Sequence, residues 1–263
     1  MSIFCDCLSF SYGAFRVLSE VSFCAENGQL TAVLGPNGVG KTTLFRCILG
    51  SLGKYEGRIE VDGKNVSAMS ARERAHRIAY IPQVHAPSFG YSVMDMVLMG
   101  TAHCVGTLSQ PKKEQIEAAC EAMERLQIGQ LSGRIFTQLS GGEQQLALIA
   151  RALAQKAKTL VMDEPTASLD YGNQIHVLET VKGLAEDGYC VLLSTHNPQH
   201  AFWYADSALA LFQGKVAAFG NPEDVLTAER IGELFRMKVR LIRAENGMMI
   251  GPERIMTGRE AHV

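Results

Sequence analysis

Gly35-Pro36-Asn37-Gly38-Val39-Gly40-Lys41-Thr42-Thr43 is the stretch on which the reading of this chain turns. The apolar run Leu30-Thr31-Ala32-Val33-Leu34 leads into it and predicts a buried parallel strand. Leu44-Phe45-Arg46-Cys47-Ile48-Leu49, on the other side, predicts a helix. Strand, glycine-rich turn, Lys-Thr and helix is the setting in which G-x-x-x-x-G-K-[ST] binds phosphate. Gly35, Gly38 and Gly40 let backbone N–H groups turn inward and approach phosphate oxygens with no side chain in the way. The helix start near Lys41 adds the positive end of its dipole. In this motif Lys41 reaches the β- and γ-phosphates and Thr42 offers its hydroxyl to Mg²⁺. A glycine-rich turn with an accidental lysine is the bland alternative, and the match at every fixed position argues against it. The loop leaves open which nucleotide is bound, and to what end.

Outward from the loop, composition sets bounds. A chain of 263 residues is near the upper size for one hydrophobic core, so one domain with a subdomain is expected. Apolar content of 47% and charged content of 20% are ordinary for a globular protein, and a net charge of −2 gives no reason to expect nucleic acid as a partner. The 7 cysteines, scattered from Cys5 to Cys190, do not resemble a disulfide framework and point to reduced thiols in a cytosol. No apolar run approaches the roughly 18 residues of a membrane span, and Met1-Ser2-Ile3-Phe4-Cys5-Asp6 does not read as a signal peptide. The expectation is a soluble, cytoplasmic protein able to dock on a membrane partner.

Before the loop, residues 3–11 and 17–25 alternate as half-buried antiparallel strands. After it, residues 57–63 read as a strand ending in an Asp62-Gly63 turn, and Ile78-Ala79-Tyr80-Ile81 as a further strand closed by Pro82-Gln83. Capping boxes stand at Ser70/Glu73, Ser92/Asp95 and Ser140/Glu143. The second opens a helix that Gly100 is expected to stop, with a loop over 100–110. Pro111 is expected to start a helix with the apolar face Ile116, Ala119, Cys120, Met123 and Leu126. Residues 84–155 therefore read as a helical insertion. Thr159-Leu160-Val161-Met162 and residues 189–194 read as central parallel strands around a helix over 172–187. A hairpin about Gln213-Gly214, a helix near 227–236 and a hairpin about Asn246-Gly247 complete the chain. The division expected is a catalytic core over 1–83 and 156–236, the insertion over 84–155 and a C-terminal hairpin over 237–263.

Ser140, Gly141 and Gly142, at a predicted helix start, form a second anion site without a lysine of its own. Asp163, at the end of a central strand, can orient Mg²⁺, and Glu164 beside it can polarise an attacking water as general base. Each of these alone has a structural explanation: a capped helix, or a solvated acidic turn.

Together, in this order, they resemble the nucleotide-binding subunit of ATP-binding-cassette (ABC) transporters over nearly the whole chain. Leu139-Ser140-Gly141-Gly142-Glu143-Gln144 resembles that family's signature motif, Leu160-Val161-Met162-Asp163-Glu164-Pro165 its Walker B strand, and Ser168-Leu169-Asp170 its D-loop. The resemblance implies an α/β, P-loop cassette with a mostly parallel central sheet, an antiparallel β subdomain and a helical insertion. It implies ATP and Mg²⁺ as ligands, Gln83 as the glutamine that senses Mg²⁺ and the lytic water, and His196 as the switch histidine on the γ-phosphate. Tyr12 and Val17 match the adenine-stacking positions, with Phe15 close enough to compete. It further implies a head-to-tail pair of copies, in which Ser140–Glu143 and Asp170 of one copy close on ATP held by the other.

The stretch from Gln83 to Gly100, especially Phe89-Gly90-Tyr91-Ser92-Val93-Met94-Asp95-Met96-Val97-Leu98-Met99-Gly100, resembles the iron-chelate, haem and cobalamin importer cassettes and their molybdate relatives. This implies separate permease subunits received near residues 83–104, an external solute-binding protein, and a station on the inner face of the cell membrane. The rivals are an exporter cassette, an ABC ATPase acting on nucleic acid or ribosomes, and an unrelated P-loop kinase or GTPase. Leu139–Gln144 argues against the last.

Overall fold

The computed structural model describes residues 2–83, 90–104, 110–244 and 247–253. β1 (Ile3–Tyr12) and β2 (Phe15–Ala25) pair antiparallel, and the strand β3 (Leu30–Leu34) then enters the loop, buried along its whole length. α1 (Lys41–Ile48) leaves the loop toward β4 (Glu56–Val61) and the short β5 (Lys64–Asn65). α2 (Ala71–Arg77) follows a complete Ser70/Glu73 capping box and leads straight into β6 (Ile78–Ile81). β1, β2, β4 and β5 make an antiparallel sheet in the order β2-β1-β4-β5.

The helical segment contains α3 (Val93–Leu98), α4 (Lys113–Arg125) and α5 (Gly141–Ala154), the first and last opened by the expected boxes at Ser92/Asp95 and Ser140/Glu143. Such caps each contribute about 1 kcal/mol. β7 (Thr159–Met162), α6 (Tyr171–Glu186) and β8 (Cys190–Thr195) return the chain to the main sheet. α7 (Pro198–Tyr204) and the hairpin β9 (Ser207–Phe212)–β10 (Lys215–Gly220) follow, then α8 (Pro222–Val225), α9 (Ala228–Phe235) and the final hairpin β11 (Val239–Ala244)–β12 (Gly247–Pro252).

The main sheet runs β10-β9-β3-β8-β7-β6, parallel throughout except for β10. Its strands are apolar on both faces because both faces are covered. Val33, Val161, Leu192, Leu209 and Leu211 face α1 and the antiparallel sheet. Their neighbours Ala32, Leu34, Leu160, Met162, Val191, Leu193 and Ala210 face a larger core shared with α3–α7. The period-2 alternation of a strand thus divides one apolar run between two cores. No helix among the described residues is long and apolar enough to cross a membrane.

Three expectations need correction. Gly100 does not open a loop after α3: the chain runs on as a 3₁₀ turn, Met99–Cys104. A Cβ on Gly100 would collide with the Arg151 carbonyl oxygen, so the glycine serves a close approach to α5 rather than a helix end. α4 begins after Lys112, not at Pro111, and buries Ala118, Ala119, Ala122 and Met123 while Ile116 is 44% exposed. Small alanines let α4 lie close to α5, and that contact outweighs the burial of one isoleucine. Phe89 and Asn246, the remaining parts of 84–89 and 105–109, and the tail from residue 254 lie outside the described residues.

Candidate active site

Lys41 opens α1 and is buried, its Nζ donating to the carbonyl oxygens of Gly35 at 2.8 Å and Pro36 at 3.3 Å. Gly38 and Gly40 hold φ of 81° and 113°, a region that favours glycine, and so turn the loop tightly around that lysine. A Cβ at Gly40 would also stand 2.9 Å from Leu18 Cδ2, so that side chain would have to shift.

β7 delivers Asp163 to the same place. One carboxylate oxygen accepts from Thr42 Oγ1 at 2.8 Å and the other from Ser194 Oγ at 2.7 Å, with Tyr80 Oη 3.5 Å away. Ser194 Oγ also accepts the N–H of Glu164 at 2.9 Å. The parallel register pairs Met162 with Leu193, which brings Ser194 of β8 alongside Asp163. Ser194 and Tyr80 are positioning residues absent from the motif reading. The available hint was a hydroxyl at the end of an apolar strand, and only strand order tells which carboxylate it meets. Glu164 adopts φ 47°, uncommon for a residue with a side chain and typical of functional turns. Its Oε1 lies 3.3 Å from Lys41 Nζ and its Oε2 3.2 Å from His196 Nδ1. The structure therefore brings Lys41, Thr42, Asp163, Glu164 and His196 into one connected cluster.

A cavity of ≈ 460 Å³ opens over this cluster, lined by Phe15, Val17, Asn37, Gly38, Gly40, Lys41, Thr42, Thr43, Gln83, Asp163 and Glu164. Pro36, Val39 and His196 line a neighbouring cavity that shares Asn37 and Gly38 with it. Tyr12 lines neither. It packs edge-on against Phe10, ring centroids 4.9 Å apart, whereas Phe15 is 72% exposed at the mouth of the cavity. The aromatic beside Val17 is thus Phe15. Tyr12 and Phe15 are cross-strand partners at the end of the β1–β2 ribbon. Thr42 and Asp163 supply hard oxygen donors side by side, with the Gln83 amide in the same cavity; this donor set fits Mg²⁺.

The signature stretch sits elsewhere: no residue from 139–144 lines the phosphate-loop cavity. Ser140 caps α5, donating from its N–H and Oγ to Glu143 Oε2, each at 2.8 Å. These bonds hold the Glu143 carboxyl below its usual range. The helix start packs on the segment around Asp170: a Cβ on Gly141 would lie 2.9 Å from Leu169 Cδ2, and one on Gly142 would collide with the Asn173 amide. Asp170 caps α6, accepting from Asn173 N at 2.9 Å and Nδ2 at 2.7 Å, and these bonds hold its carboxyl low.

Behind His196, His200 on α7 is buried, which pushes its pKa down to about 4, with His196 adding to the shift. Its folded value lies below the unfolded one, so the unfolded chain takes up the proton first as pH falls. Stability should therefore be constant above about pH 6.5 and decline from there toward pH 4, by at most about 2 kcal/mol at pH 5. Urea midpoints at pH 7 and pH 5 check this, and His200→Gln should flatten that part of the difference.

A parallel sheet carrying a phosphate loop, with an acidic pair at the end of a neighbouring strand, defines a P-loop nucleoside triphosphatase. The profile of one family, described as ABC transporter, matches residues 18–167. An ABC transporter ATP-binding protein of Haemophilus influenzae is 40% identical over 235 residues, 89% of each chain. The hemin import ATP-binding protein HmuV of Nocardia farcinica is 38% identical, over 87% of this chain and 79% of its own. A solved structure of an inward-facing transporter assigned to the metal-chelate type superposes with a TM-score of 0.84 at 32% identity, covering 97% of this chain and 98% of that one. The chain belongs to the ABC transporter family, as an ATP-binding cassette and an ATPase.

Proposed function

We propose that this cassette powers the uptake of a metal chelate through a separate membrane permease, with two copies closing head-to-tail on two ATP molecules. The observation that carries the ATPase half is the cluster around Glu164, whose carboxylate sits between Lys41 and His196 while Asp163 is held by Thr42 and Ser194. Glu164 accepts a proton from the attacking water, and His196 and Gln83 orient that water and the γ-phosphate. Lys41 and the loop N–H groups bear the charge of the phosphates. Thr42 and Asp163 would hold Mg²⁺, which would supply neutralisation of phosphate charge there. Val17 and Phe15 form the base platform, so Phe15→Ala should raise KM for ATP by about 5–30-fold, one stacking contact's worth, and leave kcat within about twofold. Tyr12→Ala should change neither. Steady-state kinetics on the two variants checks the assignment.

Ser140, Gly141, Gly142, Glu143 and Asp170 serve the ATP of the opposing copy. ATP closure moves the helical insertion (84–155) against the core (1–83 and 156–236), the hairpin (237–263) being a short C-terminal appendage, and the groove around 83–104 receives the permease. The cargo assignment is supported by relatives named for hemin import and the metal-chelate type, and an external binding protein would deliver that cargo. Iron–siderophore, haem and corrinoid are the candidates, with molybdate or tungstate as the nearest variant. Deleting the gene should abolish uptake of one such compound and spare sugars and amino acids. Unchanged uptake of all of them, or co-purification with an exporter permease, overturns the reading.

A further inference from the structure

Away from the nucleotide site, the last turn of α2 meets the 3₁₀ turn Met99–Cys104. His76 comes from the first, His103 and Cys104 from the second. The two imidazoles stand edge to face with centroids 4.5 Å apart, and one possible ligand atom from each of the three residues lies within 4.8 Å of the others. His103 Nδ1 is 3.2 Å from the Gly100 carbonyl oxygen, which sets Nδ1 as the N–H donor and leaves Nε2 with its lone pair outward. That Nε2 faces Cys104 Sγ at 3.1 Å. The turn is itself held: Gly100 is pressed against the Arg151 carbonyl, so His103 is placed by packing as well as by its hydrogen bond.

Two imidazole nitrogens and a thiol on a pre-positioned turn are a recognisable donor set. We propose that His76, His103 and Cys104 bind one borderline-soft divalent cation of the Zn²⁺ type, with solvent completing a tetrahedron. The geometry needs only small movement, because ligand bonds of roughly 2.0–2.3 Å place tetrahedral donors within about 4 Å of one another. Binding displaces the thiol proton to solvent. Two imidazoles and one thiolate select against Mg²⁺ and Ca²⁺, which prefer oxygen. The same cation would tie α2, which runs directly into β6 and Gln83, to the helical segment. It would thus bridge the two units proposed to move against each other.

The test uses the full chain, reduced and free of nucleotide, titrated with Zn²⁺ against a chromogenic competitor. One equivalent should be lost in the His76→Gln/Cys104→Ser double variant, and each single change should weaken binding by at least about tenfold. Zn²⁺ should slow alkylation of Cys104 while Cys7, the other exposed cysteine, reacts at its usual rate. Both variant positions are on the surface, so circular dichroism should be unchanged. Absence of zinc binding to the parent chain, or the same number and affinity of sites in the double variant, overturns the proposal. None of these readouts depends on ATP turnover or on the cargo.

Discussion

Glu164→Gln should bind ATP as the parent does and turn it over about 10²–10⁴-fold more slowly, the range expected when a general base is removed. The amide fills the same volume and keeps hydrogen-bonding contact with His196, 3.2 Å from Oε2, but has no basic oxygen to receive the water's proton. The contact between Lys41 Nζ and Oε1 at 3.3 Å, between groups that are largely buried, is where a side effect can arise. Replacing the carboxylate leaves the lysine with neutral partners, the Gly35 and Pro36 carbonyls. If anything, that frees its charge for phosphate, so ATP affinity should hold or rise. Parent-rate turnover in a purified permease complex removes Glu164 from the role of base. Loss of nucleotide binding along with turnover would mean instead that the substitution disturbed the loop.

Gly141→Asp should weaken ATP-dependent pairing of copies, read by light scattering in the Glu164→Gln background. The physical case has two parts. A carboxylate at the first position of α5 places negative charge where the helix end is proposed to receive a phosphate, opposing the dipole's favourable field. A Cβ there would also stand 2.9 Å from Leu169 Cδ2, so that side chain must shift. Gly141→Ala separates the two causes, because it adds the crowding without the charge. Retained pairing in Gly141→Asp sinks the head-to-tail assembly. Equal loss in both variants assigns the effect to the Leu169 contact rather than to the anion site.

Much of this molecule is decided by local sequence. The glycine-rich loop between an apolar strand and a helix, the boxes at Ser70, Ser92 and Ser140, and the strands at 78–81, 159–162 and 189–194 appear where their residues predict them. Capping and loop chemistry act over three or four residues, so the chain carries them in plain view. The acidic pair at 163–164 is local in the same sense, directly following the buried strand β7. What the tertiary structure alone decided are meetings between distant segments. Phe15 rather than Tyr12 lines the phosphate-loop cavity, although the two are cross-strand partners with equal claim from sequence. Ser194 holds both Asp163 and the Glu164 N–H because β8 lies beside β7 in parallel register. Gly100 is needed by Arg151, and the alanines of α4 by α5, contacts that no window of sequence contains. His76 meets His103 and Cys104 only because α2 and the Met99–Cys104 turn are packed together. Periodicity tells a residue which face of its own element it occupies; the partner across that face is chosen by strand order and helix packing, set by the burial of both sheet faces at once.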